Sequence, residues 1–104
     1  MTIKLVKKED GCTLYLEGRL DTLTAPETEE IFRKVQEQYS KVTLDLENLE
    51  YVSSAGLRVL KLLHIQMRDK GGRLYFRNTQ KNVYEVFELT GFVGLFEFLP
   101  AGRD

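Results

Sequence analysis

Apolar and polar residues alternate over 2–7 (TIKLVK) and again over 12–17 (CTLYLE). A period of two is the mark of a half-buried strand. Asp10-Gly11 between the two stretches predicts a tight hairpin turn, so an antiparallel pair should open the chain. From Gly18 to Leu23 the alternation lapses into a loop. Thr24 followed by Glu27 reads as a capping box, with Pro26 in the first turn of a helix that runs to about Tyr39. Ile31, Phe32 and Val35 give that helix its apolar stripe; Glu29, Glu30, Arg33, Lys34 and Glu37 lie outside.

Residues 42–46 (VTLDL) predict a strand with Val42, Leu44 and Leu46 on one face. The stretch ENLEYVSSAG leads into a long helix from about Ser54 to Lys70. Leu57, Leu60, Leu63, His64 and Met67 share a face of it, and Val59 and Leu62 widen that face. Gly71-Gly72 ends the helix. A strand follows at 73–77 (RLYFR), then a helix over 80–90 with Val83, Val86 and Phe87 inward, stopped by Gly91. A last strand falls near Leu95 to Leu99. The order ββαβαβαβ predicts an α/β fold: a mixed, mainly parallel sheet opened by a hairpin and packed with helices through right-handed crossovers.

The length of 104 residues suits one domain, 1–104. With 42% hydrophobic and 30% charged residues the chain has the balance of a folded soluble protein. Sixteen acids against fifteen bases leave a net charge of −1, without the basic excess that general nucleic-acid or anionic-membrane binding needs. No apolar stretch is long enough to span a bilayer, and the first residues lack the apolar core of a signal peptide. One cysteine excludes an internal disulfide. These features lead us to expect a cytoplasmic protein. The charge is nonetheless unevenly spread. Residues 25–50 carry seven acids and three bases, whereas 58–82 carry seven bases and one acid. Both stretches read as solvated helix faces; if they lie apart, they also form a dipole able to orient a charged protein partner.

Candidate chemistry is sparse. One His, one Cys and no spaced carboxylate cluster make no metal set, and no cofactor is expected. His64 lies more than two turns beyond the serines that open its helix, too far to activate either. Cys12 sits within a predicted strand, where packing is its natural role. No nucleophile elbow or phosphate-binding glycine loop occurs, so an enzyme or nucleotide-binding domain is poorly supported. The unusual segment is Tyr51-Val52-Ser53-Ser54-Ala55-Gly56-Leu57, where a buried strand meets a buried helix. Residue chemistry by itself favours a plain role: a serine caps the helix, and Ala55-Gly56 allows close packing. The sharper reading is a phosphorylation switch. A phosphate at a helix start adds charge and bulk where the backbone tolerates an anion, and could expel a docked partner. Tyr51 and Val52 fit either an apolar contact beside the hydroxyls or the core.

Ser53-Ser54-Ala55-Gly56-Leu57 resembles the strand-to-helix signature of the STAS family, specifically its bacterial anti-sigma factor antagonists. Gly18-Arg19-Leu20-Asp21 with Thr24-Ala25-Pro26, and Leu89-Thr90-Gly91-Phe92 with Phe96, resemble two further family blocks. The three blocks occur in the family's order and span essentially the whole chain. The resemblance implies a non-enzymatic module that binds a serine-kinase anti-sigma factor and frees the sigma factor. It implies release on phosphorylation at Ser54 and restoration by a serine phosphatase. Ser53 stands where many members have Asp, which makes it the alternative acceptor. The same resemblance places Asp21 and Thr24 beside Tyr51, Val52, Ser53, Ala55 and Gly56 on the docking surface. A rival within the family is a scaffold subunit of a lipid-transport or signalling complex, in which the serines only cap.

Overall fold

A computed structural model describes residues 1–100, so the last four residues of the expected domain lie outside it. The elements are β1 (Thr2–Lys8), β2 (Gly11–Leu20), α1 (Ala25–Gln38), β3 (Lys41–Val52), α2 (Ser54–Asp69), β4 (Arg73–Arg77), α3 (Lys81–Leu89), a single 3-10 turn (Phe92–Gly94) and β5 (Glu97–Phe98). The strand and helix order is the expected one. The strands form one five-stranded sheet in chain order. β1 pairs antiparallel with β2, and every later pairing is parallel.

Crossovers of a single hand between parallel strands in chain order put all three helices on one face of the sheet. Alternation along the strands supplies that face. Cys12, Leu14 and Leu16 of β2, Val42, Leu44 and Leu46 of β3, and Leu74 and Phe76 of β4 are buried in one core. Phe32 and Val35 of α1, Leu57, Leu60, Leu63 and Met67 of α2, and Val83 and Phe87 of α3 close over it. Phe76 stacks on Phe96 with ring centroids 4.3 Å apart, which anchors the C-terminal segment. Cys12 is buried as expected, and burial pushes its thiol up to about 11, so it stays protonated.

Several boundaries differ from the expectation. The hairpin turn is Glu9-Asp10, one residue earlier, and Gly11 already pairs with Lys8 in the ladder. Gly11 is needed for a different reason: a Cβ there would stand 2.2 Å from the Lys41 carbonyl oxygen. β2 does not end at residue 17. It continues to Leu20 because β3 continues to Val52, and the two pair in parallel as far as Leu20 with Val52. Two register shifts interrupt that ladder, and Gly18 takes φ +112° beside one of them. These irregularities erase the alternation by which a strand is recognised in sequence. The last strand shrinks to two residues, since the 3-10 turn uses up the chain before it.

The face of the sheet away from the helices carries a buried polar cluster. Arg77 Nε and Asp45 Oδ2 are 3.0 Å apart, with both side chains at most 5% exposed. Asp45 also accepts from the Glu47 amide (3.1 Å) and from Asn78 Nδ2 (3.1 Å), and Arg77 donates to the Tyr15 hydroxyl (3.3 Å). Thr13 and Thr43 lie beside the pair and are themselves buried.

Candidate functional site

The C-terminal ends of β2 and β3 lie side by side, and the loop after β2 therefore meets the turn after β3. The Ser53 amide donates to the Leu20 carbonyl (2.9 Å), which fixes the two connections together. Ser53 has extended backbone (φ −91°, ψ 177°) and is the N-cap of α2; its hydroxyl accepts from the Gly56 amide at 3.3 Å. Ser54 is the first residue of α2 and is exposed. No hydrogen bond engages its hydroxyl among the described residues. The two neighbouring serines thus have different tasks. One hydroxyl closes the helix end, and the other points to solvent.

Gly56 is buried, and a Cβ on it would lie 2.6 Å from the Leu20 carbonyl oxygen and 2.7 Å from Leu20 Cγ. Val52 is 4% exposed and belongs to the core. Both were expected to contribute to a docking surface; both are instead buried beneath the turn. Ala55 packs partly against the core. Tyr51 does reach the surface, at 40% exposure, because the register shift after Leu49 breaks the alternation of β3 and leaves Glu50 and Tyr51 both outside. The Arg19 guanidinium lies over its ring, 4.2 Å from the centroid.

The loop Asp21–Thr24 is organised by Asp21 rather than by a capping box. Asp21 Oδ1 accepts from the amides of Leu23 (3.0 Å) and Thr24 (3.2 Å). Thr24 is already helical (φ −95°, ψ −14°), so its side chain makes no cap bond to α1. Its hydroxyl turns back instead, donating to the Arg19 carbonyl (2.8 Å) and accepting from the Asp21 amide (2.9 Å). Glu27 consequently has no box to complete. The Thr24 amide first, opposed by desolvation, and then the Leu23 amide, the Thr24 hydroxyl and Arg19 hold the Asp21 carboxyl below its usual range. The turn leaves Leu23 89% exposed. Arg19 and Leu23 were expected within this loop, but neither was singled out from the sequence. The signal for Leu23 was a leucine with no periodic partner inside a turn.

Among the described residues no group of His, Cys, Asp and Glu could hold a metal. His64 packs edge-on against Phe96 (5.8 Å), and burial, then Arg68, pushes its imidazole below the usual histidine range. It is remote from the serines. No helix is long and apolar enough to cross a membrane among the described residues.

The known proteins that this chain resembles agree with that geometry. BtrV of Bordetella bronchiseptica, whose name assigns it provisionally as an anti-sigma factor antagonist, is 39% identical over 91 residues, covering 86% of this chain and 78% of that protein. The anti-sigma factor antagonist SpoIIAA in its unphosphorylated form superposes with a TM-score of 0.80 at 17% identity, covering 95% of this chain and 89% of that one. The phosphorylated form of the Bacillus cell fate determinant SpoIIAA gives 0.74 at 16% identity, covering 95% and 92%. The STAS domain profile matches residues 2–101, from the first strand past the last, and the chain therefore belongs to the STAS domain family.

Proposed function

We propose that this chain is an anti-sigma factor antagonist switched by phosphorylation of Ser54. The free form binds a serine-kinase anti-sigma factor through the turn Tyr51–Leu57 and the adjoining loop Gly18–Thr24, and so frees the sigma factor. The kinase transfers the γ-phosphoryl group of ATP to Ser54: the Oγ–P bond forms, the β–γ bond breaks, and the hydroxyl proton is lost as ADP leaves. The phosphorylated form is released, and a serine phosphatase hydrolyses the ester to restore the free form. All of this takes place in the bacterial cytoplasm, and the antagonist itself catalyses nothing.

One observation carries the choice of Ser54. Its hydroxyl is exposed and unengaged at the first position of α2, while that of Ser53 is spent on the Gly56 amide. A phosphate on Ser54 sits where unpaired amides and the helix dipole favour negative charge, so modification alters the surface without unfolding α2. On Ser53 it would compete with the cap. The relatives named as antagonists support the partner class.

The test is intact-mass spectrometry with fragment mapping after incubation with ATP and the anti-sigma kinase encoded beside the gene. Phosphate on Ser54, abolished in Ser54→Ala, is the expected result. Phosphate on Ser53 would move the site. No phosphate, from a kinase active on another substrate, would replace the switch with a scaffold role.

A further inference from the structure

Ser54, Arg58, Lys61, Ile65 and Arg68 follow one another at steps of four, three, four and three along α2, and so share one face. Ser54, Arg58, Lys61 and Arg68 are exposed, and Ile65 is half-buried. The helix therefore presents a basic stripe that begins at the switch residue. Arg68 is paired with Asp69 (3.2 Å). Arg58 and Lys61 have no ion-pair or hydrogen-bond partner among the described residues. The first turn of α2 contains no acidic residue. Nothing on the helix competes for these two cations.

Side chains on a helix lean toward its N-terminus, so a residue covers the turn before its own Cα. Four residues after Ser54, Arg58 is spaced to reach the surface at Ser54. We propose that Arg58, backed by Lys61, is the charge element of the switch: it faces an acidic surface on the partner while Ser54 is free, and closes over the phosphate once Ser54 is modified. This rests on the reading of Ser54 as the switch. Phosphate brings about −1.5 to −2 charges and three acceptor oxygens, enough to cancel both cations. A guanidinium one turn away can meet two of those oxygens at once, a geometry that lysine cannot reproduce. Release then has a definite cause. The phosphate withdraws from the partner the cation that held it and offers like charge to an acidic surface.

Two measurements test this. In the full chain with phosphoserine placed at position 54 during translation, the phosphate is titrated by phosphorus NMR. Arg58→Gln should raise its second pKa by about half a unit or more toward the ordinary value near 6. Superimposable titrations would overturn the phosphate contact. In the second measurement, binding of the unmodified chain to the anti-sigma kinase encoded beside its gene is followed against salt concentration. Arg58→Glu and Lys61→Glu should each weaken binding tenfold or more and flatten its salt dependence. Lys7→Glu, the same charge change at the far end of the sheet, should do neither. Equal effects at all three positions would overturn the acidic docking surface. Failure of the unsubstituted chain to bind would sink the antagonist reading instead, and the NMR titration would still decide the role of Arg58.

Discussion

Gly56 sits directly against Leu20, with room for no side-chain carbon: a Cβ would stand 2.6 Å from the Leu20 carbonyl oxygen. The same carbonyl accepts from the Ser53 amide at 2.9 Å. The serine turn and the end of β2 are therefore one unit. Gly56→Ala must push α2 off that carbonyl, because the obstructing atom is backbone. A loss of about 1–3 kcal/mol is expected in urea unfolding, as for other overpacked sites. Partner binding should fall further than stability, since the displacement is at the turn proposed to dock the partner. An alanine variant as stable as the parent would show that α2 can move freely.

The division of labour between the serines predicts unequal stability effects. Ser53→Ala removes the bond to the Gly56 amide and should cost about 1 kcal/mol. Ser54→Ala removes an exposed, unengaged hydroxyl and should change stability by less than about 0.5 kcal/mol. Equilibrium denaturation of the two variants separates them. A larger loss at Ser54 would assign the cap to the wrong residue.

Asp21 predicts an acid response of its loop. Its carboxyl lies below the ordinary value of 3.8, held there first by the Thr24 amide. A group with a lowered pKa in the folded state stabilises that state fully above its unfolded value. The contribution is lost as the pH falls through the lowered folded value. Asp21→Asn keeps an accepting oxygen but no charge. The stability gap between parent and variant should be constant at neutral pH and close below the ordinary carboxylate range. A gap that stays constant down to acid would exclude a role for the charge.

The buried Asp45–Arg77 pair predicts a large and partly reversible loss. Arg77→Met leaves the Asp45 carboxylate with neutral donors, Asn78 and the Glu47 amide, in a site 4% exposed. Removing one partner of such a pair costs about 3–5 kcal/mol. Adding Asp45→Leu should recover much of it, because the stranded charge is then gone. Additive losses in thermal or urea unfolding would mean that the two side chains act independently.

Much of this protein is written locally in its sequence. The helices α1, α2 and α3 were legible within a residue or two, because apolar residues at helical spacing and a following glycine or strand mark them without reference to anything distant. The serine-bearing turn was legible for the same reason, as two hydroxyls and two small residues at a strand-to-helix junction. Its resemblance to other STAS members added the partner class. The ends of β2 and β3 were not legible. Their last residues pair across a register shift, and no periodicity in either strand alone records a partner in the other. Thr24 failed as a cap because Asp21 holds the turn before it, a contest decided by loop geometry and not by residue type.

What only the tertiary structure decided is which atoms remain available. Sequence placed Tyr51, Val52, Ser53, Ser54, Ala55 and Gly56 together, and only the family resemblance set Ser54 ahead of Ser53. Folding buries Val52 and Gly56, spends the Ser53 hydroxyl on a backbone amide, and leaves Ser54 and Tyr51 outside. The sequence by itself determined the elements and the chemistry at their junction, since those depend on near neighbours. Exposure and hydrogen-bond occupancy depend on β2 arriving beside that junction from more than thirty residues away, and so had to come from the fold.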